Sequence, residues 1–260
     1  MAAPRVRRER LDTLLVERGL VETRARAQAL VLAGQVRSGD RVLDKPGTRL
    51  PAEIPLAVER GPRFVSRGGD KLDGALDDLG VDVRGVIAAD LGASTGGFTD
   101  CLLQRGAARV YAVDVGQGLL AERVRVHPAV VVLDRTNARD LDPERFAEPL
   151  DLVTVDASFI GLEKLAPALA RLLPPGGRLL ALVKPQFEVG REAARRTRGV
   201  VRDPELREAA IASAVGALER AGFRVLGGVD SRVAGPRGNV ERFVLAERHA
   251  PAQSTSTQTS

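Results

Sequence analysis

The chain has four lysines, Lys45, Lys71, Lys164 and Lys184, against 35 arginines. Where arginine serves for nearly every cation, a retained lysine points to work a guanidinium cannot do, such as giving up its proton. Lys45 and Lys164 lie in polar, surface-like contexts. Lys184 differs, because it ends the apolar run Leu182-Val183 and is followed by Pro185, which places the amine at a strand's rim. Asp156 ends a second apolar run, Leu152 to Val155. A third stretch, Asp90-Leu91-Gly92-Ala93-Ser94-Thr95-Gly96-Gly97-Phe98, is rich in glycine, which lets a backbone turn tightly and approach a ligand closely. Asp114 ends the next apolar run, where a carboxylate can accept hydrogen bonds from ribose hydroxyls.

Three nucleotide cofactors compete for that glycine turn. A dinucleotide site asks for G-x-G-x-x-G, which glycines 92, 96 and 97 do not supply. A P-loop asks for Gly-Lys-Ser/Thr, and no lysine is near. S-adenosylmethionine has no phosphates and carries a cationic sulfonium, so it suits a turn that holds Asp90 and neither Arg nor Lys. A purely structural glycine turn is the remaining alternative.

These residues need a scaffold that brings strand ends together. From residue 86 the chain alternates apolar runs of strand length with helical patterns. Strands are expected over 86–91, 110–114, 129–133, 150–155, 178–183, 223–229 and 242–246, and helices through Leu102, over 162–173 and over 204–221. Such alternation predicts an α/β fold with a doubly wound, Rossmann-like parallel sheet, whose ligands lie outside the carboxyl ends of the strands. On that scheme Lys184, Asp156, Asp114 and the glycine turn share one edge.

The first quarter of the chain is different. Residues 1–63 hold 13 Lys+Arg and 8 Asp+Glu, so the whole formal net charge of +5 lies there, and the remainder is neutral. Local positive excess favours a polyanion such as nucleic acid. Leu11, Leu14 and Leu15 mark one short helix. Thr23 reads as the N-cap of a second, with Ala27, Leu30 and Val31 at helical spacing. Arg24 and Arg26 fall in that helix's first turn, a poor place for cations, so they are expected to serve something other than the helix. Extended pieces follow around 35–37, 41–43 and 51–58. The expected organisation is a small basic α+β module over 1–58, a linker over 59–65, an α/β domain over 66–248, and a disordered Ser/Thr-rich tail over 249–260.

Composition excludes other classes. The single cysteine, Cys101, rules out a disulfide framework and a multi-cysteine zinc site, and two histidines, His127 and His249, leave little for a histidine metal centre or a Ser-His-Asp triad, so no metal is expected. No apolar run approaches the ~20 residues that span a bilayer, and no secretory signal is visible. A cytoplasmic protein with no membrane contact is expected.

Two resemblances sharpen this reading. Arg10-Leu11-Asp12, Gly19-Leu20-Val21, Arg24-Ala25-Arg26-Ala27 and Leu32-Ala33-Gly34-Gln35-Val36 resemble the RNA-binding module named after the fourth protein of the small ribosomal subunit. That module presents arginines to structured RNA. The second resemblance runs through Ser66 to Leu72, Gly92 to Thr99, Arg135 to Arg139, Asp156 to Ile160, Lys184 to Gly190 and Gly238 to Glu241. Taken together these resemble the TlyA family and, more broadly, the FtsJ-like ribose methyltransferases.

The resemblance implies an S-adenosylmethionine-dependent enzyme that methylates cytidine 2′-hydroxyls of ribosomal RNA, with ribosomal RNA or ribosomal subunits as partners. It places a Lys-Asp-Lys-Glu tetrad on Lys71, Asp156, Lys184 and Glu241. Lys184 is expected to take the hydroxyl proton, its amine freed by partial desolvation and by Lys71 nearby. Asp156 would orient Lys184 and touch the cofactor, and Glu241 would orient the hydroxyl or Lys71. By motif position Gly92, Ser94 and Gly96 face the methionine end, Asp90 its amino group, Asp114 the ribose and Asn137 the adenine. Arg10, Arg24, Arg26 and Arg67 are expected at the RNA, and Ser158 and Phe159 face either substrate or core. A non-catalytic RNA-binding protein, a membrane-active haemolysin (a name some members carry) and a dinucleotide oxidoreductase are the alternatives. A methyl-transfer assay, vesicle leakage and a cofactor panel would separate them.

Overall fold

A computed structural model describes residues 7–59, 61–158, 160–190, 197 and 199–249. Phe159 and the tail beyond His249 therefore lie outside the described residues. The chain divides into two compact units, Met1–Arg63 and Phe64–Ser260.

In the first unit, β1 (Arg8–Arg10) runs directly into α1 (Leu11–Glu17), and α2 (Arg24–Leu32) follows. Leu11, Leu14 and Leu15 of α1 and Ala27, Leu30 and Val31 of α2 are buried together, as their spacing of three and four requires. The Thr23 side chain caps α2 by accepting from the Arg26 N–H at 3.2 Å. The strand β2 (Val36–Ser38) lies between β3 (Arg41–Val42) and β5 (Ala57–Val58), while β4 (Arg49–Pro51) pairs antiparallel with β1. The β1–β4 pair was not expected, because Arg-Glu-Arg offers no apolar alternation.

The second unit opens with α3 (Arg67–Asp78), capped by Ser66, whose Oγ accepts from Gly68 N–H at 3.3 Å. There follow β6 (Ile87–Leu91), α4 (Gly97–Gln104), β7 (Arg109–Val113), α5 (Glu122–Arg125), β8 (Val130–Leu133) and β9 (Leu152–Val155). Next are α6 (Leu162–Leu172), β10 (Arg178–Val183), α7 (Pro185–Glu188), α8 (Pro204–Arg220), β11 (Phe223–Asp230) and β12 (Arg242–Arg248). One seven-stranded sheet results, in the order β11-β12-β10-β9-β6-β7-β8.

Alternation along each strand divides the core between the two faces of the sheet. Ala89, Leu91, Val153, Val155, Leu179 and Ala181 pack with Leu165, Leu169 and Leu218 of α6 and α8. On the other face Ala88, Leu152, Leu180 and Leu182 pack with Leu72 and Leu76 of α3 and Leu102 of α4.

The sheet corrects one expectation: it is mixed, not all parallel. β12 is antiparallel to both β10 and β11. The reason is local. Residues 231–241 join β11 to β12 with no more than a single helical turn at Pro236–Gly238, and a parallel pairing needs a longer crossover. The chain runs outward through β6, β7 and β8, then returns to lay β9 on the other side of β6. Order reverses between β6 and β9, the place where sheets of this kind bind ligands.

Candidate active site

The glycine turn leaves β6 at that switch point. Gly92 adopts φ +88°, and a Cβ there would come within 3.1–3.2 Å of the Asp156 and Ala157 backbone, so only glycine lets the two strand ends sit this close. Asp114 stabilises the turn from the end of β7: its carboxylate accepts from Ser94 N–H at 2.8 Å and Gly116 N–H at 2.7 Å. Beside the turn lies a cavity of about 290 Å³. Gly92, Ala93 and Ser94 line it on one side, and Lys71, Asp156, Lys184 and Glu241 on the other.

Those four side chains form two ion pairs. Lys71, in the second turn of α3, donates to Glu241 Oε2 at 2.6 Å, and the two residues are 170 positions apart. Both are buried. Glu241 Oε1 is buried with no hydrogen-bond partner, so this carboxylate keeps an acceptor in reserve. Lys184 follows β10 and is also buried, at 8% exposure, rather than lying open at a rim. Its Nζ is 2.7 Å from Asp156 Oδ1 and donates to the Asp156 carbonyl at 3.2 Å and to Ser158 Oγ at 3.0 Å. Each lysine thus faces a carboxylate, and the pairing of Lys184 with Asp156 follows from the parallel neighbours β9 and β10.

Several expected residues lie elsewhere. Asp90 is fully buried beneath the turn, where it accepts from Thr99 Oγ1 at 2.7 Å and Thr154 Oγ1 at 3.3 Å, and it does not line the cavity. Burial pushes its carboxyl up to about 7, against the opposing Thr99 hydrogen bond and aided by the charge of Asp156. Gly96 does not line the cavity either; its φ of +91° and the closeness of Leu120 and Val124 explain the glycine from within the fold. Asn137 caps the single turn Ala138–Asp140 through the Arg139 N–H, away from the cavity lining. Arg67, exposed at the start of α3, does line it. In the first unit Arg10 and Arg24 are partly spent on buried Asp12, whereas Arg26 is exposed with no ion pair among the described residues.

Ser66, Gly68, Thr95, Gly97 and Phe98 complete the lining; all five lie in the stretches quoted from the sequence, but none was given a role at the site. Among the described residues, no group of three or more His, Cys, Asp or Glu could hold a metal ion, and no helix is long and apolar enough to cross a membrane.

A Rossmann-like sheet with its cavity at the switch point defines the class of α/β ligand-binding folds. The fold is shared by a solved S-adenosylmethionine-dependent methyltransferase from Listeria monocytogenes, at TM-score 0.53 and 14% identity, over 71% of this chain and 99% of that one. The FtsJ-like methyltransferase family model matches residues 64–248, and the S4 domain model matches residues 9–53. The 16S/23S rRNA (cytidine-2′-O)-methyltransferase TlyA of Mycobacterium tuberculosis is 44% identical over 240 residues, covering 92% of this chain and 89% of that protein. A solved hemolysin-named protein from Streptococcus thermophilus matches at TM-score 0.70 and 39% identity, over 94% and 90% of the two chains. The chain belongs to the TlyA group of the FtsJ-like methyltransferase family. It is a methyltransferase, and S-adenosylmethionine is its cofactor.

The site fits that cofactor on its own terms. The turn holds no cation that a phosphate would need, Gly92 brings the turn against the β9 end so that both line one cavity, and the Asp156 carboxylate on the cavity wall complements a positive centre.

Proposed function

We propose that this chain methylates the ribose 2′-hydroxyl of a cytidine in ribosomal RNA. The observation that supports this best is the meeting of Lys71–Glu241 and Lys184–Asp156 around one cavity beside the glycine turn. Bound S-adenosylmethionine supplies an electrophilic methyl group on a sulfonium. Gly92 and Ser94 would hold its methionine end, with Asp156 near its positive charge. Asp114 already accepts from two backbone N–H groups, so a ribose contact would share that carboxylate.

The remaining work falls to the protein. A 2′-hydroxyl is a weak nucleophile that must lose its proton as its oxygen bonds to carbon. Glu241, on the cavity wall, would accept a hydrogen bond from the hydroxyl and aim its lone pair. Lys71 holds Glu241 in place and offers its charge to the neighbouring phosphate. Lys184 would receive the proton; Asp156 and Ser158 hold its Nζ, and the Asp156 carboxylate stabilises the ammonium formed. Arg67 at the cavity mouth would meet an RNA phosphate. The target nucleotide must leave its stack to reach a cavity of this depth. Affinity for folded RNA is assigned to the first unit, through Arg10, Arg24 and Arg26.

Two variants test the base. Both Lys184→Ala and Lys184→Arg should lower single-turnover methyl transfer by about 10²–10⁴-fold, the span typical of general base catalysis. Cofactor affinity measured by calorimetry should stay within a few-fold. An arginine variant with near-full rate would show that only a positive charge is needed there. Mapping 2′-O-methyl groups on ribosomal RNA after reaction identifies the nucleotide.

A further inference from the structure

Asp12 is the one charged side chain buried in the core of the first unit, among the described residues. Four side chains converge on it, the weakest being Thr13, whose Oγ1 donates to Oδ1 at 3.5 Å. Arg10 grips it with both ends of its fork, Nε to Oδ1 at 3.0 Å and Nη2 to Oδ2 at 2.8 Å. Gln28 donates to the same Oδ2 at 2.9 Å. Arg24 adds a third donor to that oxygen, through Nε alone, at 3.1 Å. The carboxyl is held well below the usual range, first by the Arg10 hydrogen bonds, so the cluster stays charged at any physiological pH.

Arg10 and Gln28 already satisfy the buried carboxylate, so the second guanidinium exceeds what burial demands. Arg24 also stands in the first turn of α2, where the helix dipole opposes a cation. Its side chain is 57% exposed, and with only Nε engaged its two terminal nitrogens remain unspent. Two guanidiniums on one carboxylate leave the cluster with one net positive charge. Arg26, exposed and without an ion pair among the described residues, is two positions further along.

We propose that Asp12 is a positioning residue of an RNA-phosphate interface: its buried carboxylate orients Arg10 and Arg24 so that their outward N–H edges meet phosphodiester oxygens of folded RNA. The proposal rests on the reading of the first unit as the RNA-binding part. Guanidinium recognition of phosphate depends on the direction of a planar fork, unlike the point charge of an ammonium. An arginine that is already aimed gives up less rotamer freedom when it binds.

The test exploits a reversal of sign. Asp12→Asn keeps the shape and removes a negative charge close to the interface. By charge alone it would tighten RNA binding. By lost positioning it should weaken binding of the full-length chain to a ribosomal RNA transcript, by about fivefold or more. Arg24→Lys keeps the charge, loses the Nε contact and the fork, and should weaken binding similarly, so the proposal stays testable if Asp12→Asn fails to fold. Circular dichroism and S-adenosylmethionine affinity should match the parent chain. Equal or tighter RNA binding by a folded Asp12→Asn, or an Arg24→Lys chain indistinguishable from the parent, overturns the role given to Asp12. A parent chain that does not bind the transcript overturns the RNA-binding reading itself.

Discussion

Asp90 shows how burial can turn a residue of the cofactor turn into a stability liability. Its carboxyl is raised to about 7 chiefly by desolvation, while in the unfolded chain it titrates near 4. Between those values the folded state binds the proton more tightly, so this residue's contribution to stability falls as pH rises from about 4 through about 7. Asn at this position still accepts from Thr99 and can donate to Thr154. Asp90→Asn should therefore raise the calorimetric Tm of the second unit at pH 8 by on the order of 5 °C and change it little at pH 5. Equal shifts at both pH values would contradict the assignment. Lys184 and Asp156 were legible as strand-end residues because a continuous apolar run shows where a buried strand stops. Asp90 shares that signature with the cavity residues, and only packing decides that its carboxylate turns toward Thr99 and Thr154. The partnership of Lys71 with Glu241 spans 170 positions, and no local pattern announces it; family resemblance alone brought the two together.

At the level of elements, the turn between β6 and α4 is the narrowest tolerance in the site. Gly92 combines positive φ with backbone contact to the β9 end. Gly92→Ala should cost about 1–3 kcal/mol of local strain and should raise the S-adenosylmethionine Kd by tenfold or more in a calorimetric titration, while α2 and the RNA-binding unit are untouched. Strands β6 to β10 were readable to within two residues because each is a largely apolar run, buried in β6, β7, β9 and β10 and partly buried in the edge strand β8. The direction of β12 was not read, since its apolar pattern is the same whichever way it pairs. The short link over 231–241 settles it, because it is too brief for a crossover helix. In the first unit the helix pair was visible through its leucines and its Thr23 cap, and β2, β3 and β5 overlap the extended pieces expected around 35–37, 41–43 and 51–58, whereas β1, written Arg-Glu-Arg, carries no apolar signal.

Across the whole molecule, charge and chemistry are segregated along the chain. The net +5 lies in residues 1–63 and the proposed catalytic residues in a unit that is neutral overall. RNA affinity should accordingly fall steeply with salt, and Arg26→Gln should reduce the slope of log K against log salt by about one while leaving S-adenosylmethionine affinity unchanged. An unaltered slope would remove Arg26 from the phosphate contacts. The sheet order has a further consequence for synthesis. β12, the final strand, is inserted between β10 and β11 and brings Glu241 with it at its leading end. Until residues 241–248 are in place, β10 has an open edge and Lys71 lacks the carboxylate it pairs with. A polypeptide that stops before residue 241 therefore lacks both a sheet strand and the carboxylate partner of Lys71, so α3, made early, waits on the strand that follows Glu241 for its ion pair.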